Sequence, residues 1–196
     1  MKKILTTTIA FFAILNLVFS QTTQWNVDEP HSEIVFKTKH MLVSTVSGEF
    51  TQFDISFVSD KEDFTDAKIQ FSAKVASIST GMEKRDNHLQ SEDFFNAEKN
   101  PEVIFKGKAL EKIEGNKYQL SGELTMGEVT KPVTFDVEYG GTVKGPWGNT
   151  RAGFAITGSV NRFEYGLKWD AALETGGFVV SEEVKIECNI ELIKAQ

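Results

Sequence analysis

Beyond residue 24, apolar and polar side chains alternate with a period of two along most of the chain, the mark of strands with one face turned inward. In residues 31–40, Ile34, Phe36 and Thr38 fall on one parity and Glu33, Val35, Lys37 and Lys39 on the other. Residues 46–58 change face part-way: Val46, Gly48 and Phe50 share one parity, Phe53, Ile55 and Phe57 the other. A bulge near Gln52 is expected there, shifting the register by one and bending the strand. Further strands are predicted over 67–75, through Ile69, Phe71 and Ala73, and over 103–113, 118–126, 131–143, 152–160 and 178–193. Glu114-Gly115-Asn116 and Met126-Gly127-Glu128 read as hairpin turns, and Pro132 belongs at a strand start or edge. The pattern predicts an all-β protein of about eight antiparallel strands. Such a set must close into a barrel or fold into a sandwich to hide its edges. A barrel of that size is filled by its own side chains or holds one elongated ligand.

One stretch, 79–105, breaks the alternation. Thr80-Gly81-Met82-Glu83 reads as a capping box and Ser91-Glu92-Asp93 as a second helix start, with Pro101 forcing both helices to be short. Met82, Arg85 or Asp86, and Leu89 share a helical face, and Phe94 and Phe95 supply apolar bulk. A polar cluster beside aromatic bulk, inserted once into a sheet protein, suits a lid or pocket floor. Because charged helical residues are usually solvated, it better suits a cap on the barrel end in which Arg85 and Asp86 only pair with each other.

Residues 1–20 read as a signal peptide: a basic start at Lys2 and Lys3, an apolar run over 9–19, and Val18-Phe19-Ser20 before Gln21. The run is too short to span a bilayer comfortably, and no cysteine stands at the cleavage site to carry a lipid. The expected product, 21–196, is one domain located in the periplasm or secreted, with no stable membrane span. Without Lys2 and Lys3, Lys+Arg falls from 21 to 19 against 28 Asp+Glu, a net charge of −9 that disfavours nucleic acid as a partner. Cys188, the lone cysteine, alternates with Lys185, Glu187 and Asn189 in an apolar series and reads as a small inward hydrophobe. Sixteen Phe against three Tyr point to a greasy interior.

The order of short motifs resembles the YceI-like family of polyisoprenoid-binding proteins from Trp25 to Ile193. The opening carries Trp25, Asp28, His31, Ser32, Phe36 and His40, then Gly48-Glu49-Phe50 and Phe53. The insert carries Ser77-Ile78-Ser79-Thr80, Arg85-Asp86-Asn87-His88-Leu89, Asp93-Phe94-Phe95, Pro101 and Phe105. Later come Gly122-Glu123-Leu124-Thr125, Val129 to Val133, Pro146-Trp147-Gly148, Arg151 to Phe154, and Asn161-Arg162-Phe163 with Gly166. The chain departs from the family in the turn after Leu124-Thr125, where Gly127-Glu128 moves the expected positive φ by one position. True lipocalins are the structural rival, but the early strand lacks their Gly-x-Trp. The resemblance implies an extended lipocalin-like antiparallel barrel with an apolar tunnel for an isoprenoid chain, and no catalysis.

For such a ligand the candidate tunnel lining is Phe36, Phe50, Phe53, Ile69, Phe71, Ile78, Leu89, Phe94, Phe95, Phe105, Phe154 and Trp169. Arg85, His88 and His40 are the candidate donors to an anionic or carbonyl head group; pairing of Arg85 and His88 with Asp86 or Asp93 is the alternative. No metal site is expected: His31, His40 and His88 with Asp28 or Asp86 lack a close ligand spacing. Ser32, His88 and Asp86 lack a Gly-x-Ser-x-Gly elbow, so a hydrolase is disfavoured, and no cofactor other than a bound isoprenoid lipid is expected. The remaining alternative is an interaction module, a homodimer or a partner of a membrane redox protein, with Trp147 as its contact.

Overall fold

The computed structural model describes residues 22–171 and 178–195; the segment read as a signal peptide lies outside them. Strand β1 (Gln24–Val27) and β2 (Glu33–His40), split by a 3-10 turn at Glu29–His31, run in succession along the final strand, β11 (Val180–Lys194). β3 (Ser44–Phe50) pairs with β2 and β4 (Phe53–Val58) with β1; β5 (Lys68–Lys74) pairs with β4 and β6 (Ile78–Ser79) with β3. Each of these three couples is in effect one bent strand. A meander of β7 (Glu102–Glu114), β8 (Lys117–Met126), β9 (Val129–Lys144) and β10 (Thr150–Asn161) leads back to β11. Because β11 also pairs with β1, the ring β1-β4-β5-β7-β8-β9-β10-β11 closes into an eight-stranded antiparallel barrel. Closure leaves the ring no free edge.

The face change foreseen near Gln52 is the break between β3 and β4. Ser77, buried, staples it: Gln52 N–H donates to Ser77 Oγ (3.1 Å), which itself donates to the carbonyls of Lys74 (2.7 Å) and Gln52 (3.3 Å). A hydroxyl that both accepts and donates serves the Gln52 N–H and the Lys74 carbonyl at the break, where the Gln52 carbonyl also accepts from Lys74 N–H (3.0 Å). Gly115 and Gly127 occupy the two predicted turns at φ +53° and +60°. Met126 faces Val129 across Gly127-Glu128, a two-residue loop whose glycine takes the first, left-handed place. Pro132 lies in the first part of β9, opposite Glu123 of β8 and ahead of the β10 pairing that starts at Asp136, so its missing N–H leaves no gap in the second ladder.

Two local expectations are corrected. Thr80 does not cap the helix. The helix α1 is Glu83–Gln90 with Met82 at its N-cap position, and Thr80 N–H instead donates to Asp86 Oδ1 (2.8 Å). Ser91 starts turns rather than a second helix; its hydroxyl donates to the His88 carbonyl and closes α1 from behind.

The barrel's two ends are closed differently. At one end stand α1 and the turns after it. At the other, the loop 59–67 sends Phe64 inward, 1% exposed, among Trp25, Phe57, Tyr139 and Phe154 at ring-centroid distances of 5.2–5.8 Å.

Candidate functional site

Between these closures lies a cavity of about 220 Å³ whose wall presents apolar surface. Period-two alternation builds it, since every second residue of the barrel strands points inward. Phe36, Phe50, Ile69, Phe71, Leu89, Phe94, Phe95, Phe105 and Phe154, nine of the twelve predicted lining residues, do line it. Three do not. Phe53 sits just past the β3–β4 break, where the bend turns it to a separate outer groove edged by Glu29, Glu33, Glu49, Asp54 and Glu102. Ile78 is buried but not part of the wall; β6, which carries it, pairs with β3 outside the closed ring. Trp169 stands behind the lining, its ring 5.3 Å from Phe94.

Arg85, His88 and His40, the candidate head-group donors, are not part of the cavity wall, and the structure gives each of them a place in the insert or at a strand end. Arg85 donates through Nε to Thr80 Oγ1 (2.7 Å) and through Nη2 to the Thr80 carbonyl (2.8 Å). Thr80 Oγ1 in turn donates to Asp86, so both charged residues converge on one threonine and hold the insert to β6. His88 Nε2 lies 3.0 Å from Asp93 Oδ2, and its ring meets Phe94 and Trp169 edge-on at 5.1 and 4.8 Å. His40 ends β2, opposite Val180 and Ser44.

Among the described residues, the charged side chain that borders the cavity is that of Arg162, 3% exposed, which sequence reasoning passed over. It extends the inward parity of Ala152, Phe154, Ile156 and Val160, so the alternation carried a signal for it. All five of its N–H donors are used: Nε on the Ser181 carbonyl (3.0 Å), Nη1 on those of Leu167 (2.6 Å) and Trp169 (2.7 Å), Nη2 on that of Val180 (2.9 Å) and on Asp170 Oδ2 (3.2 Å). Burial lowers its pKa, against the opposing pull of Asp170. Arg162 therefore locks the segment after β10 to the start of β11, with no donor left for a ligand.

Cys188 lines the cavity as a small inward side chain, and burial pushes its thiol up to about 12. With thiolate so disfavoured, it acts as a hydrophobe rather than a nucleophile. Away from the cavity, Asp28, His31 and Glu191 converge to within 4.8 Å, the grouping closest to a metal-ligand set among the described residues. Arg151 Nη1 pairs with both carboxylates, and His31 Nδ1 is 2.9 Å from Asp28. Burial opposes ionisation of Asp28, but the hydrogen bonds from Arg151 and His31 outweigh it and hold its pKa below the usual value. A guanidinium between the carboxylates makes this an ion-pair network rather than an open ligand set. Trp147, 84% exposed, projects from the β9–β10 turn.

The YceI-like domain model matches residues 25–192. The chain belongs to the YceI-like family. A UPF0312 protein of Staphylococcus epidermidis is 42% identical over 170 residues, covering 86% of this chain and 96% of that one. One from Staphylococcus aureus is 38% identical with the same coverage. Among solved structures of the YceI-like fold, the Campylobacter jejuni YCEI protein is 30% identical with a TM-score of 0.70 over 81% of this chain and 90% of that one. A polyisoprenoid binding domain from Saccharophagus degradans, 13% identical with a TM-score of 0.64 over 87% and 98%, shares the fold. Burkholderia cenocepacia BcnA does so too, at 22% and 0.74 over 85% and 99%.

Proposed function

We propose that this protein binds an amphiphilic isoprenoid lipid, of polyprenyl or prenyl-quinone type, and carries or sequesters it without catalysis. The observation that carries the reading is a cavity with an apolar wall inside the barrel. Each buried CH₂ contributes about 0.8 kcal/mol, so a tail needs little polar recognition to bind. The polar head stays outside the wall, since the titratable side chains bordering it among the described residues, Arg162 and Cys188, offer neither a free donor nor a thiolate. The polyisoprenoid-binding fold relative is consistent with this assignment. With residues 1–20 as a signal peptide, the site of action is the periplasm or the exterior. No helix among the described residues is long and apolar enough to cross a membrane.

The test is displacement of anilinonaphthalene sulfonate by farnesol, in wild type and in Phe71→Asp. Phe71 lies mid-barrel between Ile55 of β4 and Phe105 of β7. Wild type should bind and release the dye, while Phe71→Asp keeps a β-type circular dichroism spectrum and binds neither. A wild type that ignores both compounds contradicts the proposal. The exposed Trp147 then favours the interaction reading, which sedimentation of wild type against Trp147→Ser would examine as a homodimer.

A further inference from the structure

We propose that Phe64 is the length stop of the cavity, so that the protein shelters only about two isoprene units of whatever tail it holds; this rests on the lipid-binding reading above. Phe57 and Phe154 line the cavity on one side and pack against Phe64 on the other, with centroids 5.8 and 5.3 Å away. Trp25 and Tyr139 close the box around it at 5.2 and 5.5 Å, so the Phe64 ring stands directly behind the two residues that end the cavity wall on this side. The backbone of Phe64 is left-handed, φ +58°, a conformation that bulky residues rarely adopt. Such an outlier persists only where its surroundings hold it.

Asp66 does the holding. It accepts hydrogen bonds from Ser59 Oγ, from Asp60 N–H (3.1 Å) and from Lys61 N–H (3.3 Å), and the Phe64 carbonyl accepts from Ala67 N–H (3.0 Å). The loop is thus built to hold one aromatic ring inside the barrel end, against Phe57 and Phe154.

The volume sets the length. An apolar cavity of about 150 Å³ holds one benzene, or roughly 25 Å³ per carbon. At that density the 220 Å³ here takes about nine carbons, close to two isoprene units. Carbons beyond these lie past Phe94 and Phe95 at the insert end and add little to affinity. Removing the six ring carbons of Phe64 opens room for about one further unit at the same density.

Binding of prenol, geraniol, farnesol and geranylgeraniol to wild type, Phe64→Ala and Ile156→Phe tests this by dye displacement. Ile156 lines the cavity, and the larger ring there fills it from inside. Wild-type affinity should rise at least tenfold from prenol to geraniol and then change by less than about threefold through geranylgeraniol. In Phe64→Ala the plateau moves to farnesol, which gains at least tenfold over its wild-type affinity. In Ile156→Phe geraniol loses at least tenfold while prenol is little changed; this variant decides the matter if Phe64→Ala does not fold. A wild-type affinity that keeps climbing through geranylgeraniol overturns the stop, as does a plateau that neither substitution moves. Failure of wild type to bind any of the four overturns the lipid reading itself.

Discussion

Replacing Arg162 by Met removes the donor of five hydrogen bonds from a position that is 3% exposed. The carbonyls of Leu167, Trp169, Val180 and Ser181 then lose their partner, and Asp170, whose side chain is 10% exposed, loses its counter-charge. Hydrogen bonds to a charged group contribute about 1.5–3 kcal/mol each. Their sum overstates the loss, because the five act on one side chain and the freed segments relax together toward water. Breaking a buried pair from one side costs about 3–5 kcal/mol, so a loss near 4 kcal/mol is expected for Arg162→Met. Arg162→Lys keeps the charge but offers three donors without the planar fork, and about 2 kcal/mol should go. Urea unfolding followed by tryptophan fluorescence reads both, as a fall in midpoint at unchanged slope. Because no guanidinium donor is free for a ligand, folded Arg162→Lys should bind farnesol within about threefold of wild type. A Met variant within 1 kcal/mol of wild type would refute the locking role, and a folded Lys variant that loses the ligand would show that Arg162 contacts the ligand.

A Cβ at Gly122 would stand 2.4 Å from the Phe105 ring and 2.5 Å from the Lys106 carbonyl, so Gly122→Ala should destabilise by about 2–3 kcal/mol in a thermal melt. Burial opposes ionisation of Asp66, yet the hydrogen bonds from Ser59 and the backbone of Asp60 and Lys61 win and set its folded pKa below its unfolded one. The stability this contributes is present above the ordinary carboxylate range and is lost as pH falls through the folded value, below about 4. Asp66→Ala should therefore lie below wild type in stability at pH 7 and converge on it toward pH 2, in urea titrations at both pH values. Cys188, its thiol raised to about 12, should resist maleimide in the native protein at pH 7 and react within minutes in urea.

Barrel strands and their inward residues were legible because a closed sheet obliges alternate side chains to face one interior. Phe36, Ile69, Phe71, Phe105 and Phe154 could be placed from parity alone. Beyond the reach of parity lie residues whose position depends on contacts distant in sequence. Phe64 sits in a polar loop, and nothing local announces that its ring meets Trp25 and Phe154. Strand β1 is four residues long and holds together through β4 and β11, so it carries too little pattern to be seen. In the insert, Arg85 and His88 read as ligand donors because charge and aromatic bulk lie close in sequence. The Asp93 partner of His88 was the alternative that the sequence also offered, whereas Thr80 as the partner of Arg85 comes from the way the insert folds back on itself and Trp169 from the segment after β10.

The central claim is that the cavity holds an isoprenoid lipid, and native mass spectrometry of the mature protein, with organic extraction and identification of what is released, tests it most directly. One prenyl-quinone or polyprenyl molecule per chain is expected, lost in Phe71→Asp. A protein that is empty as isolated, and stays empty after incubation with farnesol and a prenyl quinone, would contradict it.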